Sequence, residues 1–285
     1  PPHSSHLIGE KIYKKYKLKW IVDLRDPWSE LFYLKDGFRF NFSKKINEKL
    51  ETNVIEKADA IITTVGDRYH KILKDKITNP EKIHQIYNGY DKLNYDKIDE
   101  IKPNKFNIVF TGMLTQNHNY ETFYEVLKIL NPKENNLNLI LTLAGRIDKK
   151  IIKIFSNKIE LINKGYIDHN NAISSIKSSH LLINFNYKNT EETDMISGKL
   201  IEYLASGSPI INFSNSAKES EIVLKTSTKS FNANKNNIDQ VVNFIKSEYS
   251  EWLEGRYKKQ KPINISSLSR ENLTQKLLDI IRKLK

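Results

Sequence analysis

Short apolar runs recur along the chain, and most are followed by a longer segment whose apolar residues return at helical spacing. WIVDL (20–24), AIITT (60–64), KIHQIYNG (82–89), FNIVFTG (106–112), LNLILTLAG (137–145), KIELIN (158–163), HLLINFN (180–186) and PIINF (209–213) read as strands. FSKKINEKLETNVIEKA (42–58), DRYHKILKDK (67–76), NYETFYEVLKIL (119–130) and HNNAISSIKSS (169–179) read as helices. Strands apolar on both faces and separated by helices predict parallel βαβ units, hence an α/β fold. The rhythm breaks at the polar, proline-containing stretch 91–105 and restarts at Phe106. The expected organisation is therefore a first domain over 1–95, a linker at 96–105, a second domain over 106–236, and closing helices over 237–285. The opening PPHSSHLIG reads as the middle of a loop, and the chain is expected to lack residues that belong before it. In open parallel sheets ligands sit outside the carboxyl ends of the strands. The loops after Leu24, Thr64, Gly112, Gly145 and Asn186 are thus expected to face a site.

Composition narrows the chemistry. The 285 residues are enough for two domains. There is no cysteine, so disulfide and thiolate chemistry are excluded, and the seven histidines have no metal-ligand spacing. No apolar run approaches the roughly 20 residues that span a bilayer, and no signal peptide is visible, so a cytoplasmic location is expected. The formal charge is +12. Its bland reading is compositional bias toward lysine, asparagine and isoleucine. Its functional reading is an anionic partner: a phosphate-bearing substrate, a membrane surface or nucleic acid. Nucleic acid is the weakest of the three, because no basic patch interleaves with aromatics.

The stretch DMISGKLIEYLASGSPII (194–211) concentrates candidate chemistry. Ser197 is placed to cap a helix, Gly198 to admit a ligand close to the backbone, and Lys199 to add a charge at a terminus that already favours phosphate. By itself, SGK reads more readily as a helix cap with a solvated lysine. A Walker P-loop would need glycine at 193 and a hydroxyl at 200, where the chain has Thr193 and Leu200. No G-x-G-x-x-G follows any strand, so a dinucleotide site is unsupported.

Asp194 and Glu202 are separated by seven residues, with the glycine-containing turn between them. This spacing, with GKLIEYLASGSPII, resembles the donor-binding motif of glycosyltransferase family 4, in particular members that build bacterial surface polysaccharides. KWIVDLRDPWSE (19–30), KADAIITTVGDRYHKIL (57–73), KIHQIYNGYD (82–91) and SRENLTQKLLDII (269–281) resemble other segments of that family in the same order. The resemblance implies two facing Rossmann-like domains, the GT-B architecture, with the first incomplete here and the last helix packing back on it. It implies transfer of a sugar from a nucleotide-diphosphate sugar, expected to be a UDP-sugar, to a glycan or lipid-linked acceptor. Transfer is expected to be metal-independent, with the anomeric configuration retained and no cofactor beyond the nucleotide-sugar substrate. Glu202 would accept hydrogen bonds from the ribose. Ser197, Gly198 and Gly112 would lie around the diphosphate, and Asp194 would sit by the transferred sugar.

Two departures from the family stand out. Family members often carry an arginine–lysine pair on the diphosphate, and TGMLTQNH (111–118) puts Met113 and His118 in those places. A protonated His118 would still reach phosphate, against the bland reading of a surface histidine. Lys199 and Arg146 are the better sources of charge, one as a point charge and one as a bidentate fork. Many relatives also place a histidine beside the reacting sugar, where DLRDPW (23–28) offers Arg25 and Asp26. Asp26, ahead of Asp23, is expected to face the acceptor, against a plain role as a cap before Pro27. The alternatives are a non-catalytic sugar-nucleotide-binding subunit, favoured by the substituted basic pair, and a GT-B-fold sugar-nucleotide epimerase. Lys14, Lys15 and Lys17 are expected to meet an anionic membrane surface, giving peripheral attachment.

Overall fold

The computed structural model describes residues 3–26, 28–29, 38–64, 66–188, 197–214, 224–227 and 229–284. These divide into two compact units, one drawing on residues 3–88 and 270–284, the other on residues 89–188 and 197–269.

The first unit begins with α1 (Ser4–Tyr16), where a loop was expected. What orders it is Glu10, buried among basic partners: its carboxylate pairs with Lys57 Nζ at 2.7 Å and Lys14 Nζ at 2.6 Å. Those partners hold its pKa down at about 2. Three parallel strands follow in spatial order β1 (Ile21–Leu24), β2 (Ala60–Thr63), β3 (Ile83–Gln85), with helices α2 (Phe38–Lys57) and α3 (Asp67–Asp75) between them. Val22, Leu24, Ile61 and Ile83 from the strands meet Val54 and Ile55 of α2 and Leu73 of α3 in one core. Beside it lies a buried polar knot. Glu51 is fully buried; it accepts from Ser29 Oγ at 2.6 Å and from Tyr69 Oη, and pairs with Lys76 Nζ at 2.6 Å. The last helix, α10 (Arg270–Lys283), packs Leu273, Leu277 and Ile280 against Ile21, Ile62 and Ile86 of the same unit.

The second unit opens with the short helix α4 (Lys92–Lys97), whose Tyr95 is buried within the polar stretch read from the sequence as a break. Its sheet is six-stranded and all parallel: β4 (Phe106–Leu114), β5 (Leu139–Ile147), β6 (Glu160–Asn163), β7 (Leu181–Phe185), β8 (Ile210–Phe213) and β9 (Ser230–Ala233). The spatial order is β6-β5-β4-β7-β8-β9. Counted from β4 this is 3-2-1-4-5-6, the doubly wound order, with its reversal between β4 and β7. The connecting helices are α5 (Tyr120–Leu130), α6 (Lys149–Ser156), α7 (His169–Lys177) and α8 (Gly198–Ser206), with α9 (Ile238–Leu253) after the sheet. Besides α4, two elements depart from the expected pattern: α6 stands between strands read as consecutive, and β9 was not anticipated. The α6 segment KKIIKIFS buries only Ile151 and Phe155 beneath a lysine-rich outer face, so its apolar signal merged with that of the strand after it. In β9 only Ala233 is fully buried, so no apolar run marks it.

The core of this unit is aromatic and aliphatic, with Phe110, Phe123, Phe155, Phe185 and Phe213 clustered among leucines and isoleucines. On the other face of the sheet, the register aligns Asn184, Asn212 and Asn232 across β7, β8 and β9. Asn184 Nδ2 donates to Asn212 Oδ1 (2.6 Å) and Asn212 Nδ2 to Asn232 Oδ1 (2.9 Å). The row links three short strands through their side-chain amides, although the buried Asn184 Oδ1 itself has no hydrogen-bond partner among the described residues. Among the described residues no helix is long and apolar enough to cross a membrane.

Candidate nucleotide-binding site

In a doubly wound sheet the crevice opens where the strand order reverses, here outside the carboxyl ends of β4 and β7. Both strands lead directly into candidate residues. β4 ends through Gly112 toward His118; β7 leads toward α8, which carries Ser197, Gly198, Lys199 and Glu202.

Helix α8 forms because Leu200, Ile201, Leu204 and Ala205 bury one face against the sheet, while Gly198, Lys199 and Glu202 lie on the other. Two tyrosines fix its position. The Thr111 amide of β4 donates to Tyr203 Oη at 2.9 Å, and Tyr95 Oη donates to the Glu202 carbonyl at 3.4 Å. The helix stops at Gly207, which is left-handed (φ 75°); a Cβ there would lie 2.8 Å from the Lys261 amide nitrogen. At the other end Ser197 occupies the N-cap with extended backbone, its carbonyl accepting from the Leu200 amide at 2.9 Å. Its hydroxyl makes no cap bond, so the amides at the first turn keep their donors free of the side chain.

Lys199 extends from that turn over the end of β4. Its Nζ stands 4.3 Å above the Phe110 ring and 3.2 Å from where a Cβ on Gly112 would be. Gly112 (φ 117°) and its register partner Gly145 (φ 130°) both adopt backbone that L side chains avoid, and a Cβ on Gly145 would lie 2.0 Å from the Gly112 carbonyl oxygen. The glycine pair therefore brings β4 and β5 together tightly and leaves the space that the lysine enters. Burial lowers the Lys199 pKa to about 8, close enough to neutrality for the ammonium to respond to an anion.

His118 is not a surface residue: it is 4 % exposed and its ring lies 4.2 Å from that of Tyr187. Burial, followed by the charge on Lys199, pushes the imidazole down to about 4. It is therefore neutral at pH 7 and brings no positive charge, which corrects the protonated donor expected from sequence. Its Nδ1 faces the Thr115 amide and hydroxyl, both at 3.1 Å, and the Thr115 carbonyl at 3.3 Å. The amide can only donate, and the tautomer that receives it carries its proton on Nε2.

Arg146, exposed and paired in register with Met113, lays its guanidinium 5.6 Å over the ring of Tyr166. Glu202 is held from the side: its Oε1 lies 2.8 Å from His169 Nε2, at the first residue of α7. Gly145 was expected only as the start of a site-facing loop, and Tyr166 and His169 were missed from sequence. Their contacts are pairings across elements, which leave no local sequence signal.

Gly112, His118, Arg146, Ser197, Gly198, Lys199 and Glu202 thus belong to one unit and its sheet end. Arg25 and Asp26 belong to the other, at the carboxyl end of β1. The Arg25 guanidinium is engaged there, with Nε on Asp23 Oδ2 at 3.1 Å and Nη1 on Asn88 Oδ1 at 3.0 Å. Asp26 follows it, half-buried. Asp194 lies outside the described residues.

No family model matches the sequence, and no curated protein is similar to it. Solved structures are. HepE from Anabaena, in complex with UDP and glucose, superposes with a TM-score of 0.71 at 12 % identity, over 98 % of this chain and 76 % of that one. Sucrose-phosphate synthase from Thermosynechococcus elongatus gives 0.67 at 12 %, over 98 % and 71 %. TarM gives 0.57 at 15 %, over 81 % of this chain, which spans about half of TarM's length (46 %). At these identities the common property is the fold: an α/β chain with parallel sheets of the Rossmann type, the architecture of the GT-B glycosyltransferases.

Proposed function

We propose that this protein is a glycosyltransferase that takes its sugar from a nucleoside-diphosphate sugar, a UDP-sugar first among them. The observation that carries the reading is the Lys199 ammonium over the Gly112–Gly145 pair, at the sheet's reversal point and beside the first turn of α8. Breaking the bond between an anomeric carbon and a diphosphate puts negative charge on the leaving phosphate and positive character on the sugar. A fixed cation and free helix amides are suited to hold that charge without reorganising. In this reading Lys199, with the Ser197–Gly198 turn, binds the diphosphate, and neutral His118 donates to it through Nε2. Glu202 accepts from the ribose, and Arg146 is a second source of charge for the diphosphate. Asp194 orients the sugar, while Asp26 and Arg25 serve the acceptor. The likeness to HepE, solved with UDP and glucose, supports the donor class.

The finer parts of the reading are retention of configuration, transfer without a metal, family 4 membership, and a glycan or lipid-linked acceptor in surface polysaccharide synthesis. They rest on the motif resemblance. A membrane-associated acceptor is supported by α1, where Ile8, Ile12 and Tyr16 lie exposed four residues apart with Lys14, Lys15 and Lys17 beside them. Peripheral binding at the inner face of the cytoplasmic membrane follows from it. Co-flotation with anionic liposomes, lost in neutral vesicles and at high salt, is the expected result, at about 1 kcal/mol per basic residue engaged. Equal recovery with neutral vesicles refutes it.

Lys199→Ala tests the donor site. Calorimetric titration is expected to show UDP bound about tenfold more weakly, with uridine little changed, because a charge-assisted contact to phosphate is lost. The pH dependence has a definite sign. Lys199 loses its proton near pH 8 in the folded protein and near 10.5 when unfolded. UDP affinity therefore falls as pH rises through about 8, while Lys199's contribution to stability improves between 8 and 10.5, where the unfolded chain holds the extra proton. In Lys199→Ala the affinity step near pH 8 disappears; a step of equal size in that variant would assign it elsewhere.

A further inference from the structure

His169 has no role in any motif of the sequence, yet among the described residues it hydrogen-bonds the Glu202 side chain. It begins α7, a helix whose N-cap Asp168 accepts the Asn171 amide at 2.9 Å, so its backbone is fixed from the first turn. From there Nε2 reaches Glu202 Oε1 at 2.8 Å. The glutamate side chain is 17 % exposed and the histidine 47 %, so the contact is open to an incoming ligand. The backbone on Glu202's side is also fixed, since Tyr95 and Tyr203 anchor the helix that carries it. What remains free in Glu202 is side-chain rotation, and freezing a glutamate side chain on binding costs conformational entropy. A partner already bonded to one carboxylate oxygen removes much of that freedom and leaves the second oxygen in one direction.

We propose that His169 is a positioning residue: it holds Oε1 of Glu202 so that Oε2 meets the vicinal diol of the donor's ribose. The inference rests on the nucleotide-binding reading of the same site. A diol offers two O–H donors side by side, and a carboxylate pinned at one oxygen receives them in a single orientation. A carboxylate free to rotate would tell ribose from 2′-deoxyribose less well.

The test is calorimetric titration of the full chain with UDP, 2′-deoxy-UDP and inorganic pyrophosphate, comparing the parent with His169→Ala and His169→Gln. His169→Ala is expected to weaken UDP about three- to tenfold, to shrink the preference for UDP over 2′-deoxy-UDP, and to leave pyrophosphate unchanged. His169→Gln, whose amide N–H can take the place of Nε2–H, restores both the affinity and the preference. The inference is overturned if His169→Ala binds UDP like the parent, or if it loses UDP and pyrophosphate equally. If His169→Ala does not fold, the decision passes to His169→Gln, which must keep the parent's preference for UDP over the deoxy analogue. A parent that binds UDP no better than pyrophosphate removes the nucleotide-binding reading itself, and this inference with it. Failure of the variants alone removes only His169.

Discussion

Glu202→Gln is expected to weaken UDP binding ten- to a hundredfold while the protein stays folded. The side chain is largely covered, 17 % exposed, and among the described residues its hydrogen bond is the one to His169. Glutamine keeps the length and an acceptor oxygen for that bond, so α8 loses no buried packing. What it loses is the charge. A hydrogen bond to an ionised acceptor is worth about 1.5–3 kcal/mol, which sets the range above. The loss should appear with UDP and uridine but not with pyrophosphate, which separates it from the effect of Lys199→Ala. Calorimetry on the two variants and their combination reads this directly. Glu202→Gln binding UDP as the parent does, or unfolding under conditions where the parent is folded, would show that Glu202 is a structural residue.

Lys76→Met carries the largest expected effect on stability, about 3–5 kcal/mol, because it leaves the carboxylate of Glu51 buried without its cation. Glu51 is 0 % exposed, and Lys76 reaches it from the end of α3. Methionine retains most of the lysine's length and apolar stem, and the backbone bond from the Lys76 amide to the Leu73 carbonyl is untouched. The loss is therefore electrostatic rather than a cavity. Ser29 and Tyr69 still donate to Glu51, but they do not neutralise it. The companion double variant, Glu51→Met with Lys76→Met, is expected to recover a large part of the loss, since a paired buried charge contributes little net stability over apolar packing. Urea unfolding followed by circular dichroism measures both. A loss below about 1 kcal/mol for Lys76→Met would mean that water reaches Glu51 and solvates it.

Much of the fold was legible along the chain. Strands such as AIITT and FNIVFTG are buried on both faces, so their apolar runs are continuous, and the α/β class follows from their alternation with helices. The mouth of α8 was legible too, because a cap residue, a glycine and a lysine before an apolar helical stripe are local signals. Four elements were hidden for reasons that are equally local. α1 owes its order to a buried ion-paired glutamate, α4 buries only Tyr95, α6 runs into the next strand, and β9 has little apolar surface to show.

The site divides along the same line. Adjacent residues of one helix, Ser197, Gly198, Lys199 and Glu202, are set by spacing alone. The strand order that puts β4 beside β7 is a property of pairings between distant segments. It decides that Gly112 and Lys199, 87 positions apart, share one place. The tertiary structure also decided the state of His118, whose sequence neighbours gave no hint that burial and the approach of Lys199 would keep it neutral. It decided the partner of Glu202, because His169 reaches it across two helices. Periodicity reports which face of an element avoids water. It carries no record of which charge, ring or carbonyl lies opposite, because those contacts are made by packing after the elements have formed.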